Sequence, residues 1–221
     1  MKIALVRGDF IAPNELANFR PLLKKHQITV FTGRRPVWPI DREKDFEFIQ
    51  LPRPVDLNFG KINRLTMAVL NRTFTDAHVL FGLEDRLKGF DIAHCAETYY
   101  AYTQQCLNAK RLGYVKKVVS TVWENITFNN ETISGRKEFK KRAIKEVDLF
   151  LPVTKRAKQV LIEEGCDPKK ITVLNPGVDT KLFHPFPKKH INVKVLVVSR
   201  LVAEKGTLEL VAIYKDLKRK Y

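Results

Sequence analysis

The sequence predicts an α/β protein with a doubly wound, mostly parallel sheet, followed by the first strand and helix of a second unit of the same kind. Three observations carry this. Apolar runs of strand length recur at Lys2–Val6, His26–Phe31, Phe46–Leu51, Asp91–His94, Lys117–Val122, Asp148–Pro152 and Lys170–Leu174. Their lack of strict polar alternation suits a sheet covered on both faces. Segments of helical periodicity separate most of them, and strands alternating with helices imply parallel crossovers. Finally, residues 193–221, VKVLVVSRLVAEKGTLELVAIYKDLKRKY, repeat the strand–loop–helix pattern after a polar linker at Lys188–Asn192. The expected organisation is a first domain over 1–188 and the incomplete start of a second over 189–221.

At 221 residues, 44% of them hydrophobic, the chain has ample material for a core. No apolar run reaches membrane-spanning length. The N-terminus, MKIALVRGDF, meets charge at Arg7 and Asp9 and so does not read as a signal peptide. Three cysteines without metal-type spacing (Cys95, Cys106, Cys166) suit a reducing compartment, and cytoplasmic residence is the expectation. The net charge of +16 is uneven: residues 1–100 hold 15 Lys/Arg against 12 Asp/Glu, and residues 101–221 hold 25 against 12. A basic half can meet nucleic acid, an anionic membrane or a phosphorylated ligand. With no zinc finger, aromatic–basic sheet motif or Gly-rich nucleic-acid loop, no nucleic-acid partner is expected.

Taken in order, Lys2–Val6 ends in Arg7–Gly8–Asp9. Gly8 and Asp9 either let the backbone approach a ligand or make a plain strand-to-helix turn. Asn14–Lys25 reads as a helix with Leu16, Phe19, Leu22 and Leu23 on one face, behind Pro13. Pro-rich segments at Arg35–Pro39 and around Pro52 and Pro54 are loop punctuation. Gly60–Lys88 reads as one or two helices. The strand Asp91–His94 leads to Glu97 and the aromatic group Tyr99, Tyr100 and Tyr102. Lys117–Val122 ends in Trp123–Glu124–Asn125.

Ser134–Val147 is a strongly basic helix. Its cations Arg136, Lys137, Lys140, Lys141, Arg142 and Lys145 surround an apolar side of Phe139, Ala143, Ile144 and Val147. It is either a solvated face or a docking surface for anionic lipid or a phosphorylated acceptor. Thr154–Glu164 reads as a helix capped by Thr154 and closed by Gly165. Asn175–Pro176–Gly177 is a turn.

In the last stretch, Val193–Val198 reads as a buried strand, and Thr207 as the N-cap of the final helix. Arg200 and Lys205 lie between them, just past a strand's carboxyl end and beside a helix N-terminus, which is a seat for a phosphate or diphosphate. Exposed loop charges without a role are the plain alternative.

Three stretches together resemble the GT-B glycosyltransferases of family 4, which include glycogen synthases and bacterial mannosyltransferases. They are VDLFLPVTKRAKQVLIEEGCDPKKITVLNPGVDTKLFHP over 147–185, VLVVSRLVAEKG around Arg200 and Lys205, and DIAHCAE around His94. The resemblance implies two facing Rossmann-like domains, the first binding the acceptor and the second a nucleotide-diphosphate sugar. It implies a retaining hexosyl transfer in carbohydrate biosynthesis, with Arg200 and Lys205 on the donor diphosphate and no metal or other cofactor. It also implies that the chain is a truncated form, inactive alone, because the family's donor-gripping glutamates are absent. Where the family carries a histidine after the strand ending at Val122, this sequence has Trp123 followed by Glu124.

Candidate catalytic residues are Glu124, Trp123 and Glu97, each placed at a strand's carboxyl end, where α/β crevices form. Glu124 could orient a hydroxyl nucleophile. Trp123 could stack on a sugar or pack in the core. Gly8, Asp9 and His94 are candidates for an acceptor or donor loop, His94 being equally a buried core residue. A non-catalytic module binding glycan or anionic lipid is the alternative function.

Overall fold

The first strand sets the frame. In β1 (Lys2–Val6) the side chains from Ile3 to Val6 are all buried, Ile3 and Leu5 on one face of the sheet and Ala4 and Val6 on the other. The same two-sided burial holds in β2 (Gln27–Gly33), where Ile28 and Val30 join Ile3 and Leu5 while Phe31 joins Ala4 and Val6. A strand buried on both faces needs helices or loops on both sides, which is the parallel, doubly wound arrangement. The computed structural model describes residues 1–40, 43–57, 76–185 and 196–220.

Six strands pair entirely in parallel: β1, β2, β3 (Glu47–Leu51), β4 (Phe90–Ala96), β5 (Val115–Val122) and β6 (Leu149–Pro152). Their order is β3-β2-β1-β4-β5-β6. Ala4 lies opposite Thr29 on one side and Ala93 on the other, and His94 opposite Val119. The chain runs outward from β1 through β2 to β3, then crosses back to start β4 on the other flank of β1. Such a reversal opens a crevice beyond the carboxyl ends of the two central strands, because their following loops diverge.

Helix α1 (Pro13–Ala17) follows β1, and α2 (Leu83–Arg86) precedes β4. Helix α3 (Ala101–Arg111) crosses from β4 to β5 with Tyr102, Cys106, Leu107 and Ala109 buried against the sheet. Helix α4 (Arg136–Glu146) buries Ala143 and, just beyond its end, Val147. In α5 (Lys155–Glu163) the Thr154 hydroxyl accepts the Ala157 N–H at 3.0 Å, and Gly165 closes the end at φ 95°. The N-cap and C-terminal glycine read from the sequence are thus in place.

Several elements differ from expectation. Asn14–Lys25 is not one helix: α1 stops at Ala17 and a 3₁₀ turn occupies Arg20–Lys24. Pro21 is the cause, since it lacks an N–H and disfavours helical backbone in the residue before it. Lys170–Leu174 shrinks to a single bridge, Phe150 to Ile171, prolonged by Thr172 N–H to Phe150 O and Leu174 N–H to Pro152 O. Of the helices read over Gly60–Lys88, the part at 58–75 lies outside the described residues, and the remainder holds only α2.

Two compact units divide the chain, Met1–Phe183 and His184–Tyr221. The linker Lys188–Asn192 and the start of the last strand lie outside the described residues. Leu196–Val198 is described and is not a strand: Leu196 is 85% and Val198 86% exposed. A buried parallel strand requires hydrogen-bonded neighbours, and the described residues of this unit contain no second strand. Helix α6 (Thr207–Lys220) does form. Thr207 is its first helical residue rather than its N-cap, and the hydroxyl donates to Val202 O at 3.2 Å. No helix among the described residues is long and apolar enough to cross a membrane.

Candidate functional site

Beyond the carboxyl ends of β1, β4 and β5, three segments converge: Arg7–Phe10, Glu97–Tyr102 and the stretch from Trp123 onward. Arg7 anchors the first. Its guanidinium, 1% exposed, bonds Glu15 Oε1 at 2.5 Å, His94 O at 2.8 Å and Val6 O at 3.1 Å. It also sits 5.8 Å from the Phe19 ring centre and 5.9 Å from that of Trp123. Its Nη2 is buried with no hydrogen-bond partner. Gly8 turns the chain at φ 54°, a left-handed conformation that favours glycine.

Glu97 leaves β4 at φ 58°, outside the region a side chain ordinarily occupies. The strain is held by bonds on every side. Its N–H donates to Thr121 O at 2.8 Å, and its carbonyl accepts the hydroxyls of Thr103 and Ser120, each at 3.1 Å. Carboxyl Oε1 accepts the Trp123 N–H at 2.8 Å, tying the ends of β4 and β5 together. Oε2 is buried and has no partner. Burial pushes the carboxyl up to about 8, against the opposing pull of the Trp123 amide. A strained, neutral carboxyl with one unsatisfied oxygen at a sheet's switch point has the character of a functional group.

Glu124, one strand over, is the opposite case. Oε1 accepts the N–H groups of Asn125 and Ile126, and Oε2 the side-chain amides of Asn129 at 2.6 Å and Asn130 at 3.2 Å. Both oxygens are used to fold the loop after β5. Trp123 stays partly exposed beside Arg7.

Asp9 pairs with Arg53, from the loop after β3. Burial raises its carboxyl to about 6, with Arg53 and His78 pulling the other way. Gly33 makes room for the pair: a Cβ there would lie 2.0 Å from Asp9 Oδ1 and 2.6 Å from Arg53 Nε. The sequence reading passed over Arg53 as part of a proline-punctuated loop.

A second group went unread, centred on Asp76, which is fully buried. It accepts the Ala101 N–H at 2.7 Å at the start of α3, the Arg136 guanidinium at 3.3 Å, and Nδ1–H of His78. Burial alone would raise its pKa, but these three donors outweigh it and hold the carboxylate ionised. Rings of Phe10 and Tyr100 flank His78, each with centroids 5.0 Å away. Neither residue belongs to a sequence motif; only the distribution of aromatic and charged residues after strands could have hinted at them.

His94 lies inside β4 rather than in a loop. Its Nε2 meets Thr121 Oγ1 at 2.9 Å, and burial, with Arg7 nearby, keeps the ring neutral. The basic helix α4 is not uniformly solvated. Arg136 and Lys140 are buried, Lys140 at 2% exposure with Glu164 and Glu131 as partners. Lys137, Lys141 and Lys145 remain exposed. Arg200 and Lys205 are exposed loop residues of the second unit, with Lys205 closing a 3₁₀ turn before Gly206.

Sheet order and crevice define a doubly wound, Rossmann-like α/β domain. Residues 20–182 match the model of Glycosyltransferase Family 4, well over half of the chain, and the chain belongs to that family. Its first unit has the fold of GT-B glycosyltransferases. Anabaena HepE in complex with UDP superimposes with a TM-score of 0.57 at 13% identity, covering 85% of this chain and 47% of HepE. The HepE complex with UDP-glucose gives 0.56 at 14% identity, with the same coverage. The chain thus spans about half the length of these structures. No curated protein matches it.

Proposed function

We propose that the protein is a retaining hexosyltransferase that moves a sugar from a nucleotide-diphosphate sugar to a hydroxyl acceptor, with no metal. The observation that carries this reading is the crevice between β1 and β4. There a family 4 chain holds Glu97, buried at the end of β4, with one carboxyl oxygen left without a hydrogen-bond partner. Residues 1–188 supply the acceptor side and 189–221 begin the donor side. The solved HepE structures hold UDP and UDP-glucose, which supports a nucleotide sugar as the donor here.

Charge explains the division of labour. Breaking a sugar–phosphate bond leaves negative charge on the departing diphosphate. Arg200 and Lys205, with helix-end amides, stabilise that charge most where it is largest, in the transition state. Glu97 and Gly8–Asp9 receive the acceptor, and Trp123 offers a ring to a sugar face. Glu124 supports the loop that carries the Trp123 edge.

The test is transfer by the complete reading frame from which the chain comes, with a panel of nucleotide sugars and alkyl glycoside acceptors. Arg200→Ala is expected to lower kcat about a hundredfold, ~3 kcal/mol by analogy with single electrostatic donors, and to leave the unfolding midpoint unchanged. The 221-residue chain alone should transfer no sugar. Full activity in Arg200→Ala would remove the diphosphate assignment, and binding of glycans without any transfer would favour a non-catalytic module.

A specific observation also favours peripheral contact with an anionic inner-membrane surface from the cytoplasmic side. Lys137 and Lys141 line one surface pocket with Phe128 and Ile144, where Glu131 and Glu164 pair with Lys140, and Phe128 and Ile126 are exposed. Basic and apolar groups side by side suit a charged lipid interface. Flotation with vesicles of phosphatidylcholine, with and without phosphatidylglycerol, separates this from a solvated face, which would partition equally.

A further inference from the structure

The loop that leaves β2 is held in place while its apolar side chains face water. Over 33–40 it reads Gly-Arg-Arg-Pro-Val-Trp-Pro-Ile, with two cations, two prolines and no acidic residue. Both of its ends are fixed. The Val37 N–H donates to Asp9 O at 2.9 Å, which ties the loop to the turn after β1. Ile40 is buried in the core cluster that holds Ile3, Leu5 and Ile28. Pro36 and Pro39 set the backbone on either side of the Val37–Trp38 pair. Between these anchors Val37 is 59% and Trp38 44% exposed. A loop tethered in this way does not expose such side chains by fraying.

The neighbouring cations also face solvent. Arg34 is exposed, and the Arg35 side chain is 68% exposed and reaches Asp56 Oδ1 only at 3.9 Å. The acidic groups near the loop, Asp9 and Asp56, both pair with Arg53. Two guanidinium groups beside an aliphatic and an aromatic side chain match an anionic lipid surface. The cations meet its head groups, the indole its interface and the valine its acyl boundary. A nucleic acid or a soluble sugar offers nothing comparable to Val37. A loop already fixed by two prolines and a tether loses little conformational freedom on inserting.

We propose that the Arg34–Trp38 loop inserts Val37 and Trp38 into the boundary of an anionic bilayer, with Arg34 and Arg35 on its phosphate head groups. The site extends the membrane reading given for α4 to a second, separate surface. It depends neither on sugar transfer nor on the α4 contact.

The chain holds two tryptophans, Trp38 and Trp123, so Trp123→Phe leaves Trp38 as the only indole reporter. The probe is a vesicle of phosphatidylcholine, with or without phosphatidylglycerol, carrying bromine on the acyl chains, mixed with the 221-residue chain. With phosphatidylglycerol present, Trp38 emission should move to the blue and be quenched by the bromine; without it, emission should stay as in buffer. The difference between wild type and Trp38→Phe gives the same readout with Trp123 in place. Arg34→Ala combined with Arg35→Ala should lower the vesicle partition coefficient roughly thirtyfold, the worth of two head-group contacts, and leave the unfolding midpoint unchanged. Quenching that persists when Lys137 and Lys141 are replaced by Ala, and is lost in the double arginine variant, carries the proposal. Flotation with anionic vesicles and no quenching of Trp38 overturns it and leaves the α4 surface standing. Failure to bind either vesicle overturns it as well. A blue shift that grows with protein concentration in the absence of lipid would make a second copy of the chain the occupant, which also overturns it.

Discussion

Glu97 and Glu124 stand at the carboxyl ends of neighbouring strands, and the fold treats them in opposite ways. Glu124 has four donors from its own loop, and both of its oxygens go into folding that loop. Glu97 accepts the Trp123 amide at 2.8 Å, has a left-handed backbone, and keeps Oε2 buried without a hydrogen-bond partner. Both are a glutamate past a strand, so their sequence neighbourhoods look alike. The difference lies in which groups the tertiary structure brings to them. A satisfied carboxylate builds a loop, whereas a buried unsatisfied one marks a place where the fold carries a cost that function can explain.

The contrast can be broken most severely from beneath, at Arg7. Arg7→Ala removes a buried cation from Glu15 and the carbonyl of His94, and should cost about 3–5 kcal/mol in urea unfolding. A loss under about 1 kcal/mol would mean that the edge of the crevice is not held as described.

Glu97 itself predicts a pH dependence. The unfolded carboxyl titrates near its ordinary 4.5 and the folded one at about 8, so the folded state binds more protons between those values. Stability should therefore fall as pH rises from about 4.5 to 8 and level off above, by roughly 1.4 kcal/mol per pH unit at the steepest. Asp9, raised to about 6, adds to the slope at its lower end. Glu97→Gln mimics the protonated form and should flatten the decline above pH 6. A wild-type profile already flat there would refute a neutral Glu97.

Glu124→Ala tests the other side of the comparison. Loss of the loop's acceptor should cost about 1–3 kcal/mol and raise amide exchange at residues 125–130. Exchange unchanged there would show that the loop does not depend on it. The smallest effect is expected at Lys137, exposed on α4: its replacement by Ala should change stability by less than about 0.5 kcal/mol. Lys140→Ala on the same helix should cost several times more, since Glu164 would be left buried without its cation.

Legibility differed by element. Six strands and the α5 caps could be read because apolar runs, Thr154 and Gly165 act locally. Pro21 was equally local and was outweighed by the apolar spacing of Leu16, Phe19, Leu22 and Leu23; its steric effect was there to be used. On α4, six cations between residues 136 and 145 read together as one basic face, either solvated or a docking surface. Which of them would be buried depended on Asp76, sixty positions away from Arg136, and on Glu164. The candidate site was legible at Glu97, Asp9 and Trp123, since strand ends can be counted. Arg7, Arg53, Asp76 and His78 were not, because their partners come from other loops. In the second unit an apolar run was taken for a strand, yet Leu196–Val198 has no described neighbour with which to pair.

The sequence by itself determined the class: periodicity, alternation and three motif stretches sufficed for a parallel α/β chain of family 4, because those signals are carried by residues close together along the chain. Only the tertiary structure decided which polar groups are spent and which are left open. Hydrogen-bond satisfaction depends on partners from distant segments, and in a low-dielectric crevice a single missing partner separates a loop-building carboxylate from one poised for a ligand.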